Sequence, residues 1–161
     1  MESVEFERPG TVEEAVNLLQ STTGNAKILA GGTDLLVQLR AHMVEPDVII
    51  DIKDIEETRT LTKNSDGSYT IGAAVAGAEA GDRDDITKDW PGVVEGWELI
   101  GSTQIQGRAS LGGNLCNASP AGDSVPAMVA AGMTVNIAGP NGRRTIPVEE
   151  VTVGPGRTCL E

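Results

Sequence analysis

Apolar residues in the first 55 or so positions alternate between strand-like and helix-like spacing. Val4 and Phe6 mark a short opening strand, and Pro9-Gly10 then turns the chain. Thr11-Val12-Glu13-Glu14 has the spacing of a capping box, so a helix is predicted to start there. Val12, Ala15, Val16 and Leu19 follow at i, i+3, i+4 and i+7, which predicts one buried helix face. Lys27 to Ala30 reads as a buried strand that ends at Gly31-Gly32. Thr33 to about Ala41 reads as a second helix with Leu36 and Leu39 inward, and Asp47 to Asp51 as a third strand. Strands alternating with helices in this way predict a small parallel sheet with helices packed on it.

From about residue 60 the texture changes. Tyr69 to Val75 reads as a strand entered from a turn at Asp66-Gly67, and Val93, Trp97 and Ile100 have helical spacing across Gly96. Met133 to Ala138 alternates as a strand, and Asn141-Gly142 predicts a tight hairpin into Arg143 to Val148. The expectation is an α+β chain with two subdomains. Residues 1–57 would carry the parallel sheet, and residues 58–161 an antiparallel sheet with short helices.

Composition narrows the chemistry. The formal net charge of −12 opposes binding to nucleic acid, because few cations are present to displace counterions from a phosphate backbone. Solubility explains the charge without invoking a partner. Phe6, Tyr69, Trp90 and Trp97 are the only aromatics, too few for a base-stacking platform. No apolar run approaches a membrane span, and the opening MESVEFERPG lacks the zones of a signal peptide, so a cytoplasmic protein is expected. Cys116 and Cys159 form no disulfide framework, and with His42 they cannot complete a four-cysteine cluster or a usual structural zinc site. Such a metal would have to sit on another chain. His42, near a helix end, reads as a solvated residue or one that serves the helix C-terminal dipole, and Cys116 as a buried, inert thiol.

Glycine is enriched, with 20 residues gathered at a few turns. Two segments stand out. In the first, Leu29-Ala30-Gly31-Gly32-Thr33-Asp34-Leu35-Leu36 joins a strand to a helix start. Glycines there let a phosphate approach the backbone, and free N–H groups with the helix dipole would face the anion. A tight turn capped by Thr33 explains the same residues. In the second, Ser110-Leu111-Gly112-Gly113-Asn114 leads through a polar loop to Asp123. That acid either accepts hydrogen bonds from ligand hydroxyls or caps a helix over 124–131. The lysine-containing phosphate loop, the G-x-G-x-x-G fingerprint and the G-x-S-x-G elbow are all absent.

Taken together, LAGGTDLL at 29–36 and RASLGGNLCNASPAGD at 108–123 resemble the flavin-binding subunits of the xanthine dehydrogenase and carbon monoxide dehydrogenase family. These are molybdenum hydroxylases whose flavoprotein fold is shared with vanillyl-alcohol oxidase. The likeness also takes in TIGAAV at 70–75 and GRRTIPVEE at 142–150, and so covers essentially the whole chain. It implies FAD held between the subdomains, with Leu29 to Leu36 and Ser110 to Asn114 around its pyrophosphate. Asp123 would sit at the ribityl or nearby hydroxyls, and Ile100 near the flavin. The resemblance further implies an iron–sulfur subunit that supplies electrons, a molybdenum-cofactor subunit behind it, and NAD or another acceptor. Two features depart from the pattern. Ile105-Gln106-Gly107 stands where many relatives have isoleucine-arginine-asparagine, and the chain stops near Cys159, about where relatives enter a C-terminal domain. They motivate an alternative, a flavin-free assembly or interaction module that keeps the fold. A stand-alone flavin reductase of the cell-wall precursor type would share the fold but need its own substrate-binding part.

Overall fold

Helix α1 (Val12–Ser21) begins where the threonine–glutamate spacing predicts it. Thr11 Oγ1 accepts from Glu14 N at 3.1 Å, and Glu14 Oε2 accepts from Thr11 N at 3.3 Å. The computed structural model describes residues 4–160; residues 1–3 of the acidic opening and Glu161 lie outside the described residues. Strands β1 (Glu5–Glu7), β2 (Ala26–Leu29) and β3 (Val48–Asp51) form a parallel sheet in the order β1-β3-β2. Only β3 is buried along its whole length, because it alone has a neighbour on each side. β2 is an edge strand with Ile28 in solvent, so the fully buried strand expected at 27–30 is corrected. The inward face of α1 is also shifted. Val12, Ala15 and Leu18 pack on the sheet, whereas Leu19 stays exposed. Helix α2 (Leu35–Arg40) is shorter than predicted, and Leu36 points outward at 54% exposure.

Helix α3 (Glu56–Arg59) leads into a two-stranded antiparallel ladder, β4 (Leu61–Lys63) with β5 (Tyr69–Ile71). The strand predicted to run to Val75 stops at Ile71. Gly72 then passes so close to Thr58 that an added Cβ would lie 2.3 Å from its carbonyl carbon. Three helices follow: α4 (Gly77–Gly81), α5 (Asp84–Asp89) and α6 (Pro91–Glu98). Trp97 on α6 is fully buried and donates from Nε1 to Ala109 O at 3.2 Å. Gly96 does not break this helix. It lets α9 (Val125–Ala130) close in, since a Cβ there would stand 2.8 Å from Ala127 Cβ. Between them lie α7 (Thr103–Gln106) and α8 (Leu111–Asn117).

The last part is a hairpin, β6 (Thr134–Gly139) with β7 (Gly142–Pro147), then a short 3-10 turn and the small pair β8 (Thr152–Gly154) and β9 (Arg157–Thr158). Gly139 pairs with Gly142, so the loop is Pro140-Asn141, one residue earlier than predicted. Asn141 keeps a negative φ while Gly142 takes φ +104°. The turn is therefore not the primed type that an Asn-Gly loop adopts. Two apolar cores result. One gathers Ala15, Val48, Ile50, Ile52, Ile55 and Ala74 around the parallel sheet, and the other centres on Trp97, Ile86, Val75 and Val148. Arg143 on β7 bridges outward, donating to Glu13 at 2.8 Å and to Glu57 Oε2 at 3.0 Å. The architecture is a mixed α and β fold, with one parallel sheet and separate antiparallel ladders, as the pattern predicts. No helix among the described residues is long and apolar enough to cross a membrane.

Candidate cofactor site

The two glycine segments meet. Gly31 is pressed against the chain at Arg108, where an added Cβ would lie 1.9 Å from the carbonyl oxygen. Arg108 Nε donates back to Gly31 O at 3.1 Å, and Gln38 Nε2 of α2 donates to Asn117 Oδ1 of α8 at 3.1 Å. Gly32 takes φ +81°, a conformation that lets the chain turn from β2 into α2. Among the described residues, the N–H groups of Gly31, Gly32, Thr33, Asp34 and Leu35 donate to no protein atom. Asp34 and Leu35 open α2, where N–H groups lack an intrahelical partner, and Gly31 to Thr33 extend that run back through the turn. Successive backbone donors of this kind can serve an anion with several oxygens. The capping alternative for Thr33 fails: Asp34 is the N-cap of α2 and makes no side-chain cap bond. With six residues, α2 adds little dipole; the donors are the loop amides themselves.

The second segment has a different construction. Ser110 is buried and caps α8, its Oγ accepting from Gly113 N at 3.1 Å. The N–H groups of Leu111 and Gly112 have no protein partner. Gly112 packs on Ala73, whose carbonyl oxygen would be 2.7 Å from an added Cβ, whereas at Gly113 a Cβ would meet only Ser110 Oγ at 3.0 Å. Asn114 turns its Oδ1 to Ser124, accepting from Oγ at 2.8 Å and from N at 3.4 Å. This pins the loop that carries Asp123. Asp123 is exposed and does not cap α9, whose N-cap is Ser124, so its carboxylate stays free for another role. Ile100 is 7% exposed and packs in the core that includes Ala109 and Leu111; its neighbour Leu99 is the exposed one. Cys116 reaches the surface, against the buried thiol expected, although the protein crowding around it raises its pKa. His42 is exposed, as expected. No cluster of groups suited to a metal ion occurs among the described residues.

One residue had no signal in the motif reading. Lys53 lies just past β3, with Nζ 2.6 Å from Asp51 Oδ1 and 3.0 Å from Ala30 O. The Asp51 side chain is nearly buried. Burial opposes its charge, but the bonds from Lys53 outweigh that and hold its pKa below the ordinary 3.8. A depressed acid contributes stability that is present above its unfolded pKa and lost as pH falls through the folded value. The melting temperature should therefore decline with acid below pH 3.8, and Asp51→Asn should flatten part of that decline. Melts of both proteins between neutral pH and the acid limit measure it, and parallel curves would exclude a contribution from Asp51.

Residues 2–161 match the family described as the FAD binding domain in molybdopterin dehydrogenase. The chain belongs to that family. Among relatives of this FAD-binding domain, the xanthine dehydrogenase FAD-binding subunit of Escherichia coli O157:H7 is 33% identical over 97% of the chain and 53% of its own length. The carbon monoxide dehydrogenase medium chain of Hydrogenophaga pseudoflava is 31% identical over 98% of the chain and 54% of its own length. A solved structure of the Hydrogenophaga enzyme, in a form lacking the Mo-pyranopterin moiety of its molybdenum cofactor, superposes with a TM-score of 0.93. It covers 98% of the chain and 55% of that structure's chain. The domain thus spans about half the length of the curated relatives it matches. Its cofactor class is FAD, its relatives are oxidoreductase subunits, and the amides at 31–35 are donors without a protein partner that a bound anion could use.

Proposed function

We propose that the chain is the FAD-holding half of a flavoprotein subunit in a molybdenum-hydroxylase-type dehydrogenase of the cytoplasm. An iron–sulfur subunit would deliver electrons drawn from a molybdenum-cofactor subunit, and NAD or another acceptor would receive them. Bound FAD supplies the electron-accepting chemistry; the protein supplies placement and electrostatics. The observation that carries this reading is the run of five amides without a protein partner, together with the two at Leu111 and Gly112, on segments that meet at Gly31 and Arg108. On this reading Ala30 to Asp34 and Leu111 to Gly113 wrap the diphosphate, with Leu29, Leu35 and Leu36 flanking it. Ser110 and Asn114 hold the second segment in shape through their own bonds. Asp123 takes ligand hydroxyls, and Ile100 backs the flavin side. The two apolar cores support a division into subdomains at 57/58, with Ala74 crossing into the first core.

A diphosphate-directed site favours FAD over FMN, which lacks the second phosphate and the adenosine. The expected result is FAD binding tighter by roughly tenfold or more, since each hydrogen bond to a charged group contributes about 1.5–3 kcal/mol. Fluorescence titration of the purified chain measures both affinities. Equal or tighter FMN binding would count against a diphosphate cradle. No binding of either flavin would favour the flavin-free assembly module.

A further inference from the structure

A trans peptide bond ties the direction of one residue's carbonyl to that of the next residue's N–H, because the two lie in one plane and point oppositely. No cis peptide occurs among the described residues. Fixing the Ala30 carbonyl therefore aims the Gly31 N–H, and fixing the Gly31 carbonyl aims the Gly32 N–H. Both carbonyls are held by cations. Lys53 Nζ donates to Ala30 O at 3.0 Å, and Arg108 Nε donates to Gly31 O at 3.1 Å. Neither N–H finds a protein acceptor. The peptide between two glycines is the one least restrained by side chains, so an external hold on it has the most to do.

The two levers are themselves anchored. Lys53 is locked at 2.6 Å to Asp51, which also accepts from Lys53 N at 3.0 Å, at the end of the most buried strand. Arg108 extends from the segment whose backbone abuts Gly31. Charge-assisted bonds are roughly twice as strong as neutral ones. A cation on the carbonyl also polarises the amide and strengthens its N–H as a donor. We propose that Lys53 and Arg108 are positioning residues of the diphosphate cradle, each holding one carbonyl back so that the following glycine N–H faces the ligand. The proposal rests on the FAD reading above and extends it to two residues outside both glycine motifs. Neither touches the ligand; they act through the backbone.

The test uses the full 161-residue chain. Lys53→Met removes the first lever, and the double variant Asp51→Asn/Lys53→Met does so without stranding a buried carboxylate. Arg108→Met removes the second. FAD and ADP, which share the diphosphate, are the probes, and melting of the ligand-free proteins reports stability. Each lever's loss should weaken both probes by a similar factor of roughly tenfold, with Arg108→Met melting close to the parent and the double variant lowered only by the Asp51–Lys53 contribution, still folded under the titration conditions. In amide-resolved NMR, the ADP-induced shift of Gly31 should shrink when Lys53 is replaced, and that of Gly32 when Arg108 is replaced. Parent-like affinity for both probes in the Lys53 and Arg108 variants, with the parent binding normally, overturns the proposal. So does a loss of FAD affinity with ADP affinity intact. A parent chain that binds neither probe overturns the FAD reading and this proposal together.

Discussion

A Gly31→Ala variant is expected to lose about 3 kcal/mol or more of stability and, with it, FAD binding. The added methyl would stand 1.9 Å from Arg108 O and 2.7 Å from its carbonyl carbon. Both are backbone atoms, so no rotamer change relieves the overlap. The two segments must separate, and separation breaks the bond from Arg108 Nε to Gly31 O and opens the junction of the two motifs. A loss of that size lowers the melting temperature by roughly 10 °C in a chain of this length. Gly92→Ala is the control. Gly92 sits in the first turn of α6 with nothing within 4 Å of an added Cβ, so alanine there should be neutral or stabilising by about 0.5 kcal/mol. Thermal melts by circular dichroism and FAD titration compare the pair. If Gly31→Ala melted like the parent, the close approach at Arg108 would not be a constraint on this fold.

The second large effect lies in the core behind the site. Trp97→Ala should cost about 3–5 kcal/mol, the usual range for emptying a buried aromatic position. Trp97 is fully buried, its ring fills the space beside Gly77, and its Nε1 meets Ala109 O at 3.2 Å. That carbonyl also accepts from Gly77 N at 2.9 Å, so it would not be left without a partner. Ala109 immediately precedes Ser110, the cap of α8. The indole therefore helps to set where the second glycine segment starts. Trp97→Phe keeps most of the apolar volume and removes the bond, so a loss of about 1 kcal/mol is expected. Urea unfolding of the two variants orders them. Equal stabilities would mean that the indole's volume contributes little to the core.

Much of this architecture is legible in the chain because the relevant signals are local. The Thr11–Glu14 capping box and the runs at 27–30 and 47–51 act within a few residues, and so does the helical spacing through Val93 and Trp97. The two glycine pairs announce themselves for the same reason, and their combination carries the family likeness. What remained hidden depends on partners distant in sequence. Leu36 and Leu19 look like core residues by period alone, but α2 and the C-terminal turn of α1 present those positions to solvent. The purpose of Gly31 and Gly112 is likewise hidden. Each packs against distant backbone, Gly31 on Arg108 and Gly112 on Ala73, with no room for a Cβ. Lys53 gives no motif signal, because its partner Ala30 is 23 positions away. Asp123 reads as a helix cap by position, yet Asn114 takes over the task of fixing that turn through Ser124.

The strand order has a consequence for how the molecule comes into being. β1 and β2 do not touch as partners; each pairs only with β3, which lies between them and is the last of the three in the chain. No hairpin can therefore form early in this region and wait for the rest. Glu5 pairs with Val48 and Ala26 with Val48, so the same short segment closes two loops of unequal length at once. Loop closure precedes the reward from such non-local pairing, which makes parallel arrangements slow to assemble. Until Val48–Asp51 takes its place, α1 has no completed sheet to dock on. Pairing of Val48–Asp51 with both partners completes the sheet, and the Gly31 turn follows directly from the end of β2.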